Sequence, residues 1–291
     1  MTLGAVVERL VLSSPHVNEV SEFYKTTFGY EVEAVGDERR CSASQRSIWF
    51  RPGSANQLLE AHYRFDDPGA YKDFLRHLEL HHRFDESGAS RRYFSHLVNQ
   101  AETTECEPEE SEVTLNDPDG RLLRFRFSKA AVTANTSSLP CARLQHYAVR
   151  SPRPQILADF YSKELGFTVS DCVRDAEGNL SAIFLRTNAE HHALAIFRSP
   201  ESRFDHFSCE TDSWYELRAW ADRMADVRVP MAWGIGRHGP GNDTFFMVRD
   251  TDGNLAEISC DLEVCAENRP AGLWPHEPHT LNLWGSAIMR S

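Results

Sequence analysis

Three residues in the second half of the chain combine donor types that bind a divalent first-row metal: His146, His206 and Glu257. His206 lies in Phe204–Glu210, where apolar and polar residues alternate as in a short strand. A histidine facing inward from a strand is commonly a hydrogen-bonded core residue. Here it has company. His146 sits in a similar run, Leu144–Arg150, and Glu257 sits in the apolar run Leu255–Cys260. A carboxylate in such a strand is costly unless it is paired or bound to metal. Two neutral imidazoles and one carboxylate are the ligand set of a facial triad for non-haem Fe(II), which leaves positions open for substrate and oxygen.

More histidines gather on the same half. His191-His192 opens a strand, and a side-chain period of two sends one of the pair inward. His238 lies in the Gly-rich loop Gly236-Arg237-His238-Gly239-Pro240-Gly241-Asn242-Asp243. Each alone fits a surface or structural role equally well. As a set they suit proton transfer near neutral pH.

The elements that must carry these residues occur twice. Ser14-Pro15 matches Ser151-Pro152, Phe23-Tyr24 matches Phe160-Tyr161, and Phe28-Gly29-Tyr30 matches Leu165-Gly166-Phe167, all at an offset of 137 residues. Asp117-Pro118-Asp119-Gly120 matches Asp250-Thr251-Asp252-Gly253, each a tight turn before a final strand. Such self-similarity implies duplication. The predicted order in the second half is strand 144–150, helix 154–165, and strands 167–173, 181–186 and 192–198. A second unit follows, with strand 204–210, helix 213–224, an irregular 229–239, and strands 245–249 and 255–260. In the first half, strand 6–13 and helix 17–28 are clear and the middle strands are not. The expected fold is α+β: four βαβββ modules in two curled mixed sheets, each around a cavity. The expected domains are 1–130 and 141–291, with 266–291 as a C-terminal tail. The joint is the small, polar stretch Ala130–Pro140.

The repeat acts as an internal control. His146 corresponds to Arg9 and Glu257 to Arg124, while His192 falls near Gln57 by a weaker match of Phe50-Arg51 to Leu185-Arg186. Core filling alone would not demand this chemistry in one copy and arginine in the other. A metal is therefore expected in the second half only.

Composition sets the remaining bounds. The 291 residues are 41% hydrophobic and 25% charged, which reads as a soluble globular protein of two domains. The net charge of −12, without a basic stripe, argues against nucleic acid. No apolar run is long enough for a membrane span, and the N-terminus lacks a secretory pattern. Seven cysteines, an odd number with no Cys-x-x-Cys pair, read as reduced cytoplasmic thiols. Cys209 and Cys260 are expected in the core. Glu102–Glu112, with six Glu in eleven residues, reads as a solvated loop.

The motifs Leu-Gln-His146-Tyr-Ala-Val, Phe-Asp-His206-Phe, Gly-Arg-His238-Gly-Pro-Gly-Asn-Asp and Asp-Thr-Asp-Gly-Asn-Leu-Ala-Glu257-Ile resemble those of the type I extradiol ring-cleavage dioxygenases. That family belongs to the vicinal oxygen chelate (glyoxalase-like) superfamily and includes catechol 2,3-dioxygenases. The resemblance covers nearly the whole chain. It implies Fe(II), with Mn(II) as the alternative, held by His146, His206 and Glu257, and O2 as co-substrate. It implies His192 and His238 as catalytic residues, His192 as acid–base and His238 in the substrate pocket. The family usually carries a tyrosine ten residues before the ligand Glu, hydrogen-bonding the substrate; here that place is Met247, whose thioether cannot donate.

The expected activity is cleavage of a catechol-type ring next to its two hydroxyls. The substrate would be a small aromatic diol, with neither nucleic acid nor membrane as partner and a homo-oligomeric assembly as in family members. Phe184, with Phe197, Phe207, Phe245 and Met247, is a candidate pocket wall, and residues 281–285 of the tail could fold over its mouth. Two other readings stay open: a metal-dependent isomerase or glyoxalase-type lyase, which Met247 favours, and a non-catalytic protein that sequesters aromatic ligands.

Overall fold

The structure, a computed structural model, describes residues 2–81, 112–129 and 139–289. Glu102–Ser111, most of the joint (residues 130–138) and Cys106 lie outside them; Glu112 opens a strand.

Two mixed sheets account for the two halves. The first holds β1 (Ala5–Ser14), β2 (Glu31–Val35), β3 (Glu38–Ala43), β4 (Arg46–Pro52), β5 (Gln57–Phe65), β6 (Glu112–Asn116) and β7 (Leu122–Phe127), in the order β2-β3-β4-β1-β5-β7-β6. The second holds β8 (Arg143–Ser151), β9 (Thr168–Arg174), β10 (Leu180–Arg186), β11 (Leu194–Arg198), β12 (Arg203–Glu210), β13 (Met231–Arg237), β14 (Thr244–Arg249), β15 (Leu255–Cys260) and β16 (Gly272–Pro275). Its order is β13-β14-β15-β12-β8-β11-β10-β9-β16. The pairing repeats. β1 runs parallel to β4 and antiparallel to β5, as β8 does to β11 and β12. β5 runs parallel to β7, as β12 does to β15. Each module thus brings its last strand back beside its first, and two modules join through their first strands.

Among the described residues the first half carries two helices, α1 (Val17–Phe28) and α2 (Pro68–His81), and the first helix of each half ends the same way. In α1 the buried Val20, Tyr24 and Phe28 line one face. Gly29, at φ 70°, closes the helix through Gly29 N–H to Lys25 O and Tyr30 N–H to Tyr24 O. In the second copy, α3 (Pro154–Asp159) continues as a π-turn, Phe160–Glu164; Gly166 lies at φ 77° and Phe167 N–H reaches Tyr161 O.

The halves exchange hydrogen bonds reciprocally. Tyr24 donates to Asp250 at 3.1 Å, and its repeat partner Tyr161 donates to Asp117, the repeat partner of Asp250, at 3.2 Å. The Tyr63 and Tyr147 hydroxyls meet at 2.7 Å between them. One continuous apolar core runs through both halves and includes Cys209 and Cys260, as expected.

In the second sheet the two faces divide the labour. Tyr147, Val149, Phe207, Ala256 and Ile258 turn into that core with Leu217, Trp220 and Met224 of α4 (Trp214–Asp226). The opposite face of β8, β12 and β15 carries His146, His206 and Glu257.

Three expectations need correction. The irregular stretch 229–239 contains β13, an edge strand whose alternation is broken by register shifts at Met231/Trp233 and Gly234/Gly236. His191 and His192 precede β11 and do not open it. The counterpart of His192 is Arg46, not Gln57, because β4 and β11 share their register on β1 and β8: Leu10 faces Ile48 where Tyr147 faces Leu194.

Candidate metal centre

His146 and His206 come from adjacent antiparallel strands, and Glu257 from β15, parallel to β12. All three are buried. His146 Nε2 lies 3.3 Å from His206 Nε2 and 3.6 Å from Glu257 Oε1. One donor atom from each residue falls within 4.8 Å of the other two. Ligands about 2.0–2.2 Å from a common ion, at right angles, stand about 3 Å apart.

The neighbours preset the donors. His146 Nδ1 meets Gln145 Oε1 at 2.5 Å and His206 Nδ1 meets Asp205 Oδ1 at 2.6 Å. Both partners accept, so both rings carry hydrogen on Nδ1 and turn an Nε2 lone pair inward. Asp205 is held in turn by Arg150 Nε at 2.6 Å, and the Gln145 amide donates to His192 O at 2.7 Å. Burial, then the neighbouring His192, His206 and His238, hold the His146 pKa well below the ordinary histidine value, which keeps it in the ligating form. Neither oxygen of the buried Glu257 has a hydrogen-bonding partner among the described residues. Burial pushes its carboxyl up, but the imidazoles around it, His238 first, bring it below the usual range. Two lone pairs 3.3 Å apart and an unpartnered carboxylate repel one another unless a cation lies between them, so these donors fit a divalent metal.

A small cavity opens on His146 and His206, walled by Phe184, Phe197, Trp233, Pro240 and Leu281 among others, with His192 and His238 also lining it. The His192 ring packs 4.2 Å from that of His146, and burial, followed by the neighbouring His191, His206 and His238, holds its pKa well below the ordinary histidine value. His238 stacks on Phe245 at 3.8 Å, donates from Nδ1 to Leu281 O at 2.6 Å and turns Nε2 towards Glu257 Oε2 at 3.7 Å. Burial opposes a charge on His238, yet the Asp243 and Glu257 carboxylates raise its pKa. Asp243 is itself buried without a hydrogen-bonding partner for either oxygen among the described residues, and burial pushes its carboxyl up to about 7.

The structure brings His146, His206, His192, His238 and Phe184 to one cavity, with Glu257 beside them, 3.6 Å from His146 Nε2. Met247 pairs with Glu257 in register and packs into the apolar group Trp233, Phe245, Leu255 and Leu281 beside it. Phe207 faces the other way, 5.9 Å from the Tyr24 ring in the core. The tail does reach the cavity, through Leu281. Trp233 is the wall residue that the sequence did not reveal; its indole donates to Ser286 O at 2.9 Å and its ring meets His238 edge-on. Its place on the broken strand β13 hid it.

Residues 143–258 match the family model described as Glyoxalase/Bleomycin resistance protein/Dioxygenase superfamily. The chain is 28% identical over 203 residues to "Metapyrocatechase 2" of Cupriavidus necator, covering 62% of this chain and 62% of that relative, somewhat under two thirds of its length. Among solved structures, homoprotocatechuate 2,3-dioxygenase from Arthrobacter globiformis superposes with a TM-score of 0.73 at 20% identity, covering 98% of this chain and 88% of that one. The Mn(II)-bound glyoxalase from Novosphingobium aromaticivorans superposes equally well, at 0.73 and 21% identity over 96% and 90%. At these identities the superpositions speak for the fold alone. Through residues 143–258 the chain is similar to the glyoxalase/bleomycin resistance protein/dioxygenase superfamily, and the curated relative agrees with the expected resemblance to type I extradiol dioxygenases.

Proposed function

We propose that the protein is an extradiol dioxygenase that opens a catechol-type ring beside its two hydroxyls, with Fe(II) held by His146, His206 and Glu257. The observation that carries this reading is the convergence of two Nε2 lone pairs and a buried carboxylate beside an apolar cavity that also holds His192 and His238. A bare three-ligand lyase site calls for neither extra histidine. Similarity to a metapyrocatechase supports the same choice.

Fe(II), when bound, would pass electron density from a chelated diol to dioxygen. The chain's own groups do the rest. Phe184, Phe197 and Trp233 exclude water and give an aromatic ring apolar surface to lie against. His192, neutral and beside His146, takes a proton from the diol and later returns it to the oxygen being cleaved. His238, whose pKa the Asp243 and Glu257 carboxyl groups raise, is disposed to offer a donor to the substrate side of the cavity.

A metal-dependent lyase or isomerase is the second reading. Met247 favours it, because it cannot supply the hydroxyl usual in ring-cleaving relatives, and the Mn(II)-bound glyoxalase shares the fold. Anaerobic purification, metal analysis and oxygen uptake with catechol, 3-methylcatechol, dihydroxybiphenyl and homoprotocatechuate separate the two. Iron near one per chain, with diol-dependent uptake lost in His206→Ala, supports the dioxygenase. Stoichiometric Zn or Ni without uptake from any diol overturns it.

We also place the protein in the cytoplasm, as a homo-oligomer. The buried, reduced Cys41, Cys209, Cys260 and Cys265 support the first, and resemblance alone supports the second. No described helix is long and apolar enough to cross a membrane.

A further inference from the structure

We propose that Asp171 and His191 are positioning residues that hold His192 in its Nδ1–H form, and that the C-terminal segment is a working part of this device. The catalytic meaning of the proposal rests on His192 acting as the acid–base described above.

His191 is fully buried and lies between the other two residues. Its Nε2 stands 3.1 Å from Asp171 Oδ2 and its Nδ1 stands 3.1 Å from His192 Nδ1. The Nε2 contact sets the His191 ring against the Asp171 carboxylate at ion-pair distance. The two rings meet edge-on, with planes at 87°. Asp171 is an acceptor only. Burial pushes its carboxyl up, but His191, Arg269 and Trp274 bring it down to about 2. A carboxylate at Nε2 draws the His191 ring hydrogen there and leaves Nδ1 as the acceptor. In a contact between two ring nitrogens one must donate, so the hydrogen belongs to His192 Nδ1. The remaining nitrogen of His192, Nε2, then carries the lone pair that a base needs, on the ring edge left for the cavity. Behind the His192 ring stand the His191 Nδ1 and, beyond it, the Asp171 carboxylate. This is the logic of an acid that fixes an imidazole without itself being protonated.

The tail supplies the rest of the carboxylate's partners. Asp171 accepts from Arg269 Nη1 at 2.9 Å, from Gly272 N–H at 2.9 Å and from Trp274 Nε1 at 2.7 Å. Strand β16 pairs with β9 with Gly272 opposite Asp171. A Cβ on residue 272 would overlap Asp171 Oδ1, so only glycine allows this approach. The segment that places Leu281 on the cavity wall therefore also anchors the far end of the relay.

The test is the imidazole 15N spectrum of the full-length, metal-free chain labelled at histidine, with His192 assigned by comparison with His192→Gln. The expected result is His192 with hydrogen on Nδ1 in the wild type, shifting to Nε2–H or a mixture in His191→Phe and returning towards the wild type in His191→Asn, whose side-chain oxygen stands near the lost Nδ1. In the iron-loaded enzyme, His191→Phe is expected to lower kcat roughly 100-fold with KM within about threefold, the scale of a lost general base. Gly272→Ala should show the same split to a smaller degree. A wild-type His192 with hydrogen on Nε2, or one unmoved by His191→Phe, overturns the proposal. If the tautomer behaves as expected while the wild type consumes no oxygen with any diol, the positioning stands and the dioxygenase reading fails.

Discussion

Arg124 Nε lies 2.7 Å from Glu60 Oε2, and this ion pair occupies, in the first sheet, the place where Glu257 and His206 converge in the second. The sheet registers make the match. Arg124 pairs with His62 where Glu257 pairs with Ser208, and Glu60 pairs with Val11 where His206 pairs with Ala148. Arg51 and His62 also reach Glu60, at 2.5 and 2.9 Å, and Arg9, the counterpart of His146, lies over the Trp49 ring. One copy of the fold fills its site with guanidinium groups fixed to the chain. The other leaves convergent donors that require a cation from outside.

Acid should unmake the first arrangement. Burial pushes Glu60 up, but Arg124, Arg51 and His62 hold it at about 2, below its ordinary value of 4.5. The folded pKa is depressed, so the stabilisation is present above about 4.5 and lost as pH falls towards 2. Glu60→Gln should cost on the order of 3 kcal/mol at pH 7, by linkage. Urea unfolding at pH 7 and pH 3 checks this. The gap between wild type and variant should narrow at pH 3, and a constant gap would show that the charge is not the cause.

The reciprocal tyrosines should each matter to the joining of the halves. Tyr24→Phe and Tyr161→Phe each deprive a buried aspartate of a donor and should each lower stability by about 1–2 kcal/mol, read as a fall in Tm or urea midpoint. A variant as stable as the wild type would mean that the exchange holds nothing.

Gln145 and Asp205 should act on the metal without touching it. Gln145→Ala and Asp205→Ala free the Nδ1 of one ligating ring each and should weaken divalent-metal affinity about 10–100-fold. Metal titration of the chelator-stripped protein measures it, and unchanged affinity in both would remove the case for preset tautomers.

Met247→Tyr should restore a donor near Glu257. If that missing hydroxyl limits turnover, kcat with the preferred diol should rise about tenfold, the value of one hydrogen bond to a charged group. The larger ring enters a packed group and should cost about 1–3 kcal/mol of stability. A loss of stability with no gain in rate would mean that the native substrate does not use that donor.

Much of the second half was legible because its central strands are buried and strongly patterned. Leu255–Cys260 was readable to the residue, and the 137-residue offset located β8 and the following helix from β1 and α1. The ligand triad followed from three polar groups in apolar strands. What escaped has physical causes. β2 and β3 are charged and mostly solvent-facing, so no apolar face marks them. β13 carries two glycines and two register shifts, which erase the period of two and hid Trp233. The match of Phe50-Arg51 to Leu185-Arg186 compared β4 with β10 when β4 answers to β11, a distinction that only strand pairing reveals. The Asp171–His191 contact joins residues that no local pattern links.

Metal stoichiometry of anaerobically prepared wild type beside Glu257→Gln is the most direct test of the site itself. The expected outcome is close to one iron per chain in the wild type and near none in the variant, with the first half contributing nothing. Full metal content in Glu257→Gln, or two metals per chain in the wild type, would contradict the assignment of His146, His206 and Glu257 as the single metal centre.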